Sequence, residues 1–270
     1  MKEVLIRSLT GIVFIVLMIG SLLIHELAFS LVLLFFLIIS VNEWLMLTEK
    51  SGVRLSPGLM FGSSIALFVS FVVFLVIDFP LFIPVFAILL PVIAIGTLFF
   101  EVEQVMKKIS VTVFGLMYIV LPMGLLTIMN HRNSNFESSV YIISMFVIIW
   151  AYDTFAFVSG KLLGKHKLFE RISPSKTWEG LIGGSVLTLI LVLLVNRYFI
   201  FFDHIFVLVA TLLIIVFATF GDLFESALKR NAGVKDSGTI FPGHGGVLDR
   251  FDSVYFVVFP YLIYLLFVFQ

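Results

Sequence analysis

Apolar residues run in long blocks along this chain, with none of the short alternation that marks half-buried strands. A helix needs about 20 predominantly apolar residues to cross a bilayer about 30 Å thick. Nine blocks fit or come close: residues 8–24, 27–48, 59–77, 79–100, 109–129, 140–157, 181–195, 205–220 and 253–269. The seventh and eighth are short and are expected to gain helical residues from their flanks. Asp78, with Pro80 close behind, predicts a tight turn between the third and fourth, and Pro80, Pro84 and Pro91 predict a kinked fourth helix. Lys2 and Arg7 ahead of the first block suggest a signal peptide. The block is long for one, however, and no small-x-small cleavage site follows it cleanly, so it reads as a retained span.

Composition agrees with this pattern. Of 270 residues, 61% are hydrophobic and only 13% charged, about half the share usual in soluble proteins. Such a chain is not disordered, has too few polar groups to cover a soluble domain, and at zero net charge is no basic nucleic-acid binder. Cysteine is absent, which excludes disulfides, thiolate catalysis and sulfur-ligated metals.

The zero balance of 17 cations against 17 anions conceals an asymmetry. Counted loop by loop with the N-terminus inside, 15 of the 17 Lys and Arg fall on the cytoplasmic side, leaving Arg132 and Arg197 outside. The expected fold is therefore an all-α polytopic membrane protein of about nine transmembrane helices, N-terminus cytoplasmic and C-terminus outside. Residues 1–139 would hold about five N-terminal spans. Residues 140–270 would form a catalytic membrane domain of about four spans with two cytoplasmic loops, 153–180 and 221–252.

Those two loops mix glycines, prolines, cations and carboxylates. In the first, Asp153 lies within or at the end of an apolar helix, where an ionised carboxylate is costly and usually functional. Ser173 followed by Pro174 reads as an N-cap and first helical residue, which would set free backbone N–H groups beside Lys176 as an anion site. Gly160-Lys161-Leu-Leu-Gly164-Lys165 resembles a phosphate-binding loop only superficially. Its glycine spacing is one residue short, and His166 stands where a Ser or Thr would bind magnesium.

In the second loop, a continued eighth helix would put Asp222, Glu225, Ser226 and Lys229 on one face. Asp249 and Asp252 are again three residues apart at the start of the ninth. Such carboxylates can supply oxygen ligands to Mg²⁺, with phosphate oxygens and water completing its octahedron. Between them, Pro242-Gly-His244-Gly245-Gly246 permits positive φ and a nest of N–H groups for phosphate. Lys229, Arg230, Lys235 and Arg250 can offset a phosphate's charge, whereas His244 alone reads as a structural hydrogen-bonder. The set suits phosphoryl-type transfer involving a lipid, which needs positioning and charge stabilisation more than a nucleophilic side chain.

The stretch Ser226-x-Leu228-Lys229-Arg230-x4-Lys235-Asp236-x-Gly238-x2-Phe241-Pro242-x-His244-Gly245-Gly246-Val247-x-Asp249-Arg250-Phe251-Asp252 resembles the signature of the phosphatidate cytidylyltransferase family, the CDP-diacylglycerol synthases. Asp153-x-x-Ala156…Gly160-Lys161-x-x-Gly164-Lys165 and Ile172-Ser173-Pro174-x-Lys176-Thr177-x-Glu179-Gly180 are similar to a second block of that family. The resemblance runs from about Val140 to the C-terminus, and the first hundred-odd residues match only in being hydrophobic.

The resemblance implies a reaction: CTP and phosphatidic acid give CDP-diacylglycerol and pyrophosphate, with Mg²⁺ or another divalent metal. Any additional monovalent ion stays open. It implies Asp222 and Asp249 as metal ligands and catalytic groups, Asp252 as an auxiliary ligand alongside Glu225, and Lys229 and Arg250 at the reacting phosphates. Arg230, Lys235, Lys161, Lys165 and Lys176 would hold triphosphate and lipid phosphate. Asp153, Ser173, Ser226, His244, Gly245 and Gly246 complete the expected substrate site, a polar funnel opening from the cytoplasmic face into lipid. Membrane lipids and a homodimer partner are implied as well, in a bacterial plasma membrane. The alternatives are a CTP-dependent lipid kinase, a cytidylyltransferase for an ether lipid, or an ion-coupled transporter built around Asp153.

Overall fold

A computed structural model describes residues 2–100, 103–131, 138–199, 202–241 and 245–269. Among them are nine helices: α1 Lys2–Ile24, α2 Glu26–Lys50, α3 Pro57–Ile77, α4 Phe82–Phe100, α5 Val105–Met129, α6 Ser138–Leu163, α7 Trp178–Phe199, α8 His204–Asn231 and α9 Leu248–Val268. Eight are long and apolar enough to cross a membrane, and in α1 the stretch Thr10–Ile24 forms a shorter apolar helix. The chain is thus an all-α, multi-pass integral membrane protein. The two short blocks do lengthen, α8 running on to Asn231.

Local chemistry sets the boundaries. Asp78 ends α3 in a left-handed conformation (φ 50°) and donates its N–H to Phe74 O, which makes the expected tight turn. Within α5, the turn Leu116–Val120 widens to π geometry just before Pro122. Proline has no N–H for the carbonyl four residues earlier and its ring crowds that carbonyl, so the turn opens.

One expectation is corrected. No helix starts at Ser173-Pro174: Ser173–Thr177 forms strand β2, paired antiparallel with β1, Lys167–Phe169. Proline is tolerated on an edge strand as readily as at a helix start. The capping role passes to Thr177, whose Oγ1 accepts the Gly180 N–H at 3.1 Å at the head of α7.

The contacts divide the chain into two compact units. The first comprises Met1–Ser139 and Asn231–Phe251, so the signature segment up to Phe251 packs with the N-terminal helices. Phe29, Leu33, Phe36, Leu37 and Val41 of α2 are fully buried here, with Met60, Leu67, Phe68 and Phe71 of α3. Phe251 makes an edge contact with Phe14 at 5.5 Å between ring centroids and a tilted contact with Phe36 at 5.6 Å. Lipid being as apolar as leucine, interlocking shape holds such helices together, more than exclusion of water.

The second unit comprises Val140–Arg230 and Asp252–Gln270. Helices α6 and α7 touch through small residues: a Cβ on Gly184 would lie 2.8 Å from the Ala156 backbone, and one on Gly180 would lie 2.9 Å from Ala156 O. Helix α8 meets α9 where Gly221 abuts the Asp252 backbone and Ser253 Oγ donates to Ala218 O at 3.3 Å. Tyr261 of α9 donates to Tyr141 O of α6 at 3.2 Å.

Candidate active site

The small-residue seam between α6 and α7 brings the chemistry of the second unit together. At its end lies a cavity of about 450 Å³, lined by Asp153, Lys161, Lys176 and Asp222 with Tyr152, Gly160, Thr177, Gly180 and Thr219. Four sequence-predicted residues thus surround one space. Lys176, brought in by β2, forms an ion pair with Asp222 of α8. Ser226, one turn on, donates to Asp222 Oδ1 at 3.3 Å. Asp252, half-buried, lies in the electrostatic field of Asp222, Asp153 and Lys229.

The continued α8 produces the expected polar face. Lys229 Nζ donates to Glu225 Oε2 at 2.6 Å, and Glu225 is completely buried. Arg230 donates to Ile172 O at 3.3 Å, tying the end of α8 to the β-hairpin. Glu179 organises the turn ahead of β1: it accepts the N–H groups of Lys165 and His166 and meets His166 Nδ1 at 2.6 Å. Lys165 and Ser173 are not among the cavity-lining residues; Ser173 is buried in β2. Lys161 also lies 6.0 Å from the centre of the Phe157 ring.

In the first unit the signature segment folds around its own carboxylates. Asp249 Oδ2 accepts from Ser237 N at 2.9 Å, Ser237 Oγ at 2.9 Å and Gly246 N at 2.7 Å. Gly245 has the positive φ expected of it, 81°. The N–H of Gly246, at the end of the segment expected to cradle phosphate, is taken by Asp249, and those of Val247 and Leu248 by Glu43 of α2. Lys235 and Arg250 are exposed. Pro242, Gly243 and His244 lie outside the described residues, so the His244 assignment has no structural counterpart here.

Two residues of these networks were missed in the sequence. Tyr152 lines the cavity and its hydroxyl pairs with Thr219 at 2.6 Å; nothing in its local pattern marks it. Glu43 did carry a signal, an acidic residue inside an apolar block, the same criterion that drew attention to Asp153.

Among the described residues no three His, Asp or Glu side chains cluster tightly enough to hold a metal ion by themselves. Magnesium seldom asks for that, since it is usually bound by one or two carboxylates plus substrate phosphates and water. The hard-oxygen donors Asp222, Asp252 and Asp153, with lysines beside them, fit this pattern of a metal held jointly with a phosphate ligand.

Comparison with known proteins accords with this chemistry. The model of the cytidylyltransferase family matches residues 5–269. A phosphatidate cytidylyltransferase of Staphylococcus haemolyticus is 51% identical over 120 residues, covering 44% of this chain and 46% of that protein. One from Staphylococcus aureus is 52% identical over 124 residues (45% and 47%), and one from Bacillus subtilis 48% over 140 residues (52% of each). The chain spans about half the length of the curated relatives it matches. With the family model covering nearly every residue, the chain belongs to the cytidylyltransferase family.

Proposed function

We propose that this protein transfers the cytidylyl group of CTP to phosphatidic acid, yielding CDP-diacylglycerol and pyrophosphate. The observation that carries the reading is the cavity of the second unit, where Asp153, Asp222, Lys161 and Lys176 set charged groups into an otherwise largely apolar space. A substrate with two acyl chains and a phosphate head group matches such a site, because the chains stay among helices while the head group meets a soluble nucleotide. The names of the bacterial relatives support the same substrates.

In the reaction, an oxygen of the lipid phosphate forms a bond to the α-phosphorus of CTP, and the bond from that phosphorus to the bridging oxygen of pyrophosphate breaks. No side chain has to remove a proton, because a phosphate monoester, with a second pKa of about 6, is already ionised near neutral pH. Lys161 and Lys176 stabilise the phosphates and Asp222 orients Lys176. Asp222 and Asp252 would hold a divalent metal in the second unit, and Asp249 would take the same role in the first by its place in the signature. When bound, Mg²⁺ supplies charge neutralisation at the leaving pyrophosphate and polarises the α-phosphate. The excess of Lys and Arg in the inside-counted loops supports a cytoplasmic face for this chemistry, and the bacterial relatives fit a plasma membrane.

The test is purified protein in lipid–detergent micelles with CTP, phosphatidic acid and Mg²⁺. Pyrophosphate and a CDP-lipid are expected in equal amounts, and chelation of the metal should stop both. Release of CDP would show a lipid kinase instead, and no nucleotide turnover by folded protein would overturn the reading.

A further inference from the structure

Glu43 lies inside apolar helix α2, seven residues before its end at Lys50, and is only 2% exposed. Ionisable groups buried in membrane helices are expensive unless partnered, and they are functional by default. Its hydrogen-bond partners among the described residues come from the signature segment some two hundred residues later. Oε1 accepts the Val247 N–H at 2.9 Å; Oε2 accepts the Leu248 N–H at 2.8 Å and the Ser237 hydroxyl at 3.0 Å. Val247 and Leu248 open α9, where backbone N–H groups have no partner within the helix and negative charge is favoured. A distant helix thus provides the cap that a local side chain usually gives.

Glu43 also shapes the loop sterically. A Cβ on Gly238 or Gly246 would collide with its carboxylate, so these glycines are required because the carboxylate occupies that space. Ser237 Oγ stands between Glu43 Oε2 and Asp249 Oδ2, at 3.0 and 2.9 Å. Ser237 and Gly246 together hold Asp249, so whatever fixes those two also fixes the direction of that carboxylate.

We propose that Glu43 is a positioning residue for the reaction, setting the loop from Ser237 to Leu248 so that Asp249 presents its carboxylate in one orientation. This rests on the reading of Asp249 as a metal-binding group. Glu43 touches neither substrate nor metal. It acts through the backbone of α9 and through Ser237.

The test compares full-length wild type with Glu43→Ala, Glu43→Gln and Gly238→Ala in two measurements. One is Mn²⁺ binding without substrate, read from the paramagnetic resonance of the free ion. The other is the Mg²⁺ dependence of turnover. Supporting groups behind a metal ligand typically govern affinity by about 10–100-fold, so Glu43→Ala should weaken Mn²⁺ binding at least tenfold. Glu43→Gln keeps one acceptor oxygen and should weaken it less, and Gly238→Ala should weaken it by displacing an intact Glu43. Half-saturating Mg²⁺ should rise in parallel, with kcat largely recovered at high Mg²⁺ and the KM for CTP nearly unchanged.

A purely structural role would lower the folded yield or thermal midpoint and leave Mn²⁺ affinity of the folded protein at the wild-type value. That result in Glu43→Gln and Gly238→Ala overturns the proposal even where Glu43→Ala fails to fold. Wild type that binds Mn²⁺ without consuming CTP would refute the proposed reaction, while weaker binding in the variants would still uphold the positioning role. Wild type that binds no Mn²⁺ even when phosphatidic acid is added would remove the metal reading and this inference with it.

Discussion

Carboxylates of the two units live in opposite surroundings. In the first, Glu43 and Asp249 accept hydrogen bonds from backbone N–H groups of Ser237, Gly246, Val247 and Leu248 and from the Ser237 hydroxyl. Donors that are part of the chain meet them, so that network holds a loop in shape. In the second, Asp153, Asp222 and Asp252 lie in one another's electrostatic field, with Lys176 and Lys229 among the offsetting charges. Like charges gathered around a cavity favour a bound cation, and the lysines beside them favour a phosphate. The same side-chain chemistry is held in place by backbone donors in the first unit, where Asp249 keeps its proposed metal role, and by opposing charge in the second.

The contrast can be broken most directly at its two aspartates. Asp222→Ala should reduce pyrophosphate release about a thousandfold, the scale of losing one main electrostatic contact at a reacting centre, with little change in thermal midpoint. Asp249→Ala should also abolish turnover, and in addition it should unfold several degrees earlier. Two backbone N–H donors, of Ser237 and Gly246, lose their acceptor there, and each unsatisfied buried group costs about 1–3 kcal/mol. Equal thermal midpoints for the two variants would erase the distinction between scaffold and site.

A smaller effect is expected from Gly184→Ala, where the new Cβ must push against the Ala156 backbone. Overpacking of this kind costs about 1–3 kcal/mol. Because the seam leads into the cavity, turnover should fall roughly tenfold, as small misplacements in active sites do. An unchanged rate would show that α6 and α7 can separate without disturbing the site. The least effect belongs to Arg54→Ala. Its ion pair with Glu49, 3.6 Å long, joins side chains that are 79% and 62% exposed; neither rate nor melting temperature should move measurably.

How much of this was readable beforehand differs from one part of the molecule to another. Helix positions followed from block length alone, and the turn at Asp78 from one polar residue and a nearby proline. The polar face of α8 followed from spacing, and the Lys229–Glu225 bond bears out the continued helix. Ser173-Pro174 misled because the same dipeptide suits a helix start and an edge strand. The choice was made by pairing with Lys167–Phe169, which propensity at one site does not report. The segment from Pro242 to Gly246 was readable as a nest for phosphate, whereas Glu43 as the acceptor for the N–H groups just beyond it was not. Periodicity says which face of a helix is apolar, but it does not say which distant backbone a buried acid will meet.

The cap on α9 has a consequence for how the protein is made. Synthesis runs from the N-terminus, and Glu43 precedes its donor partner Val247 by 204 residues. At about 5–20 residues per second, roughly 10–40 s pass between them. Throughout that interval α2 must sit in the bilayer with an acid whose partners do not yet exist, against an insertion penalty that is about 3 kcal/mol for an acidic residue at a helix centre and less for Glu43, nearer the helix end. The N–H groups at the start of α9 therefore relieve a burden carried by α2 since its insertion. A nascent chain halted before α9 would hold that acid without the donors that meet it in the folded protein.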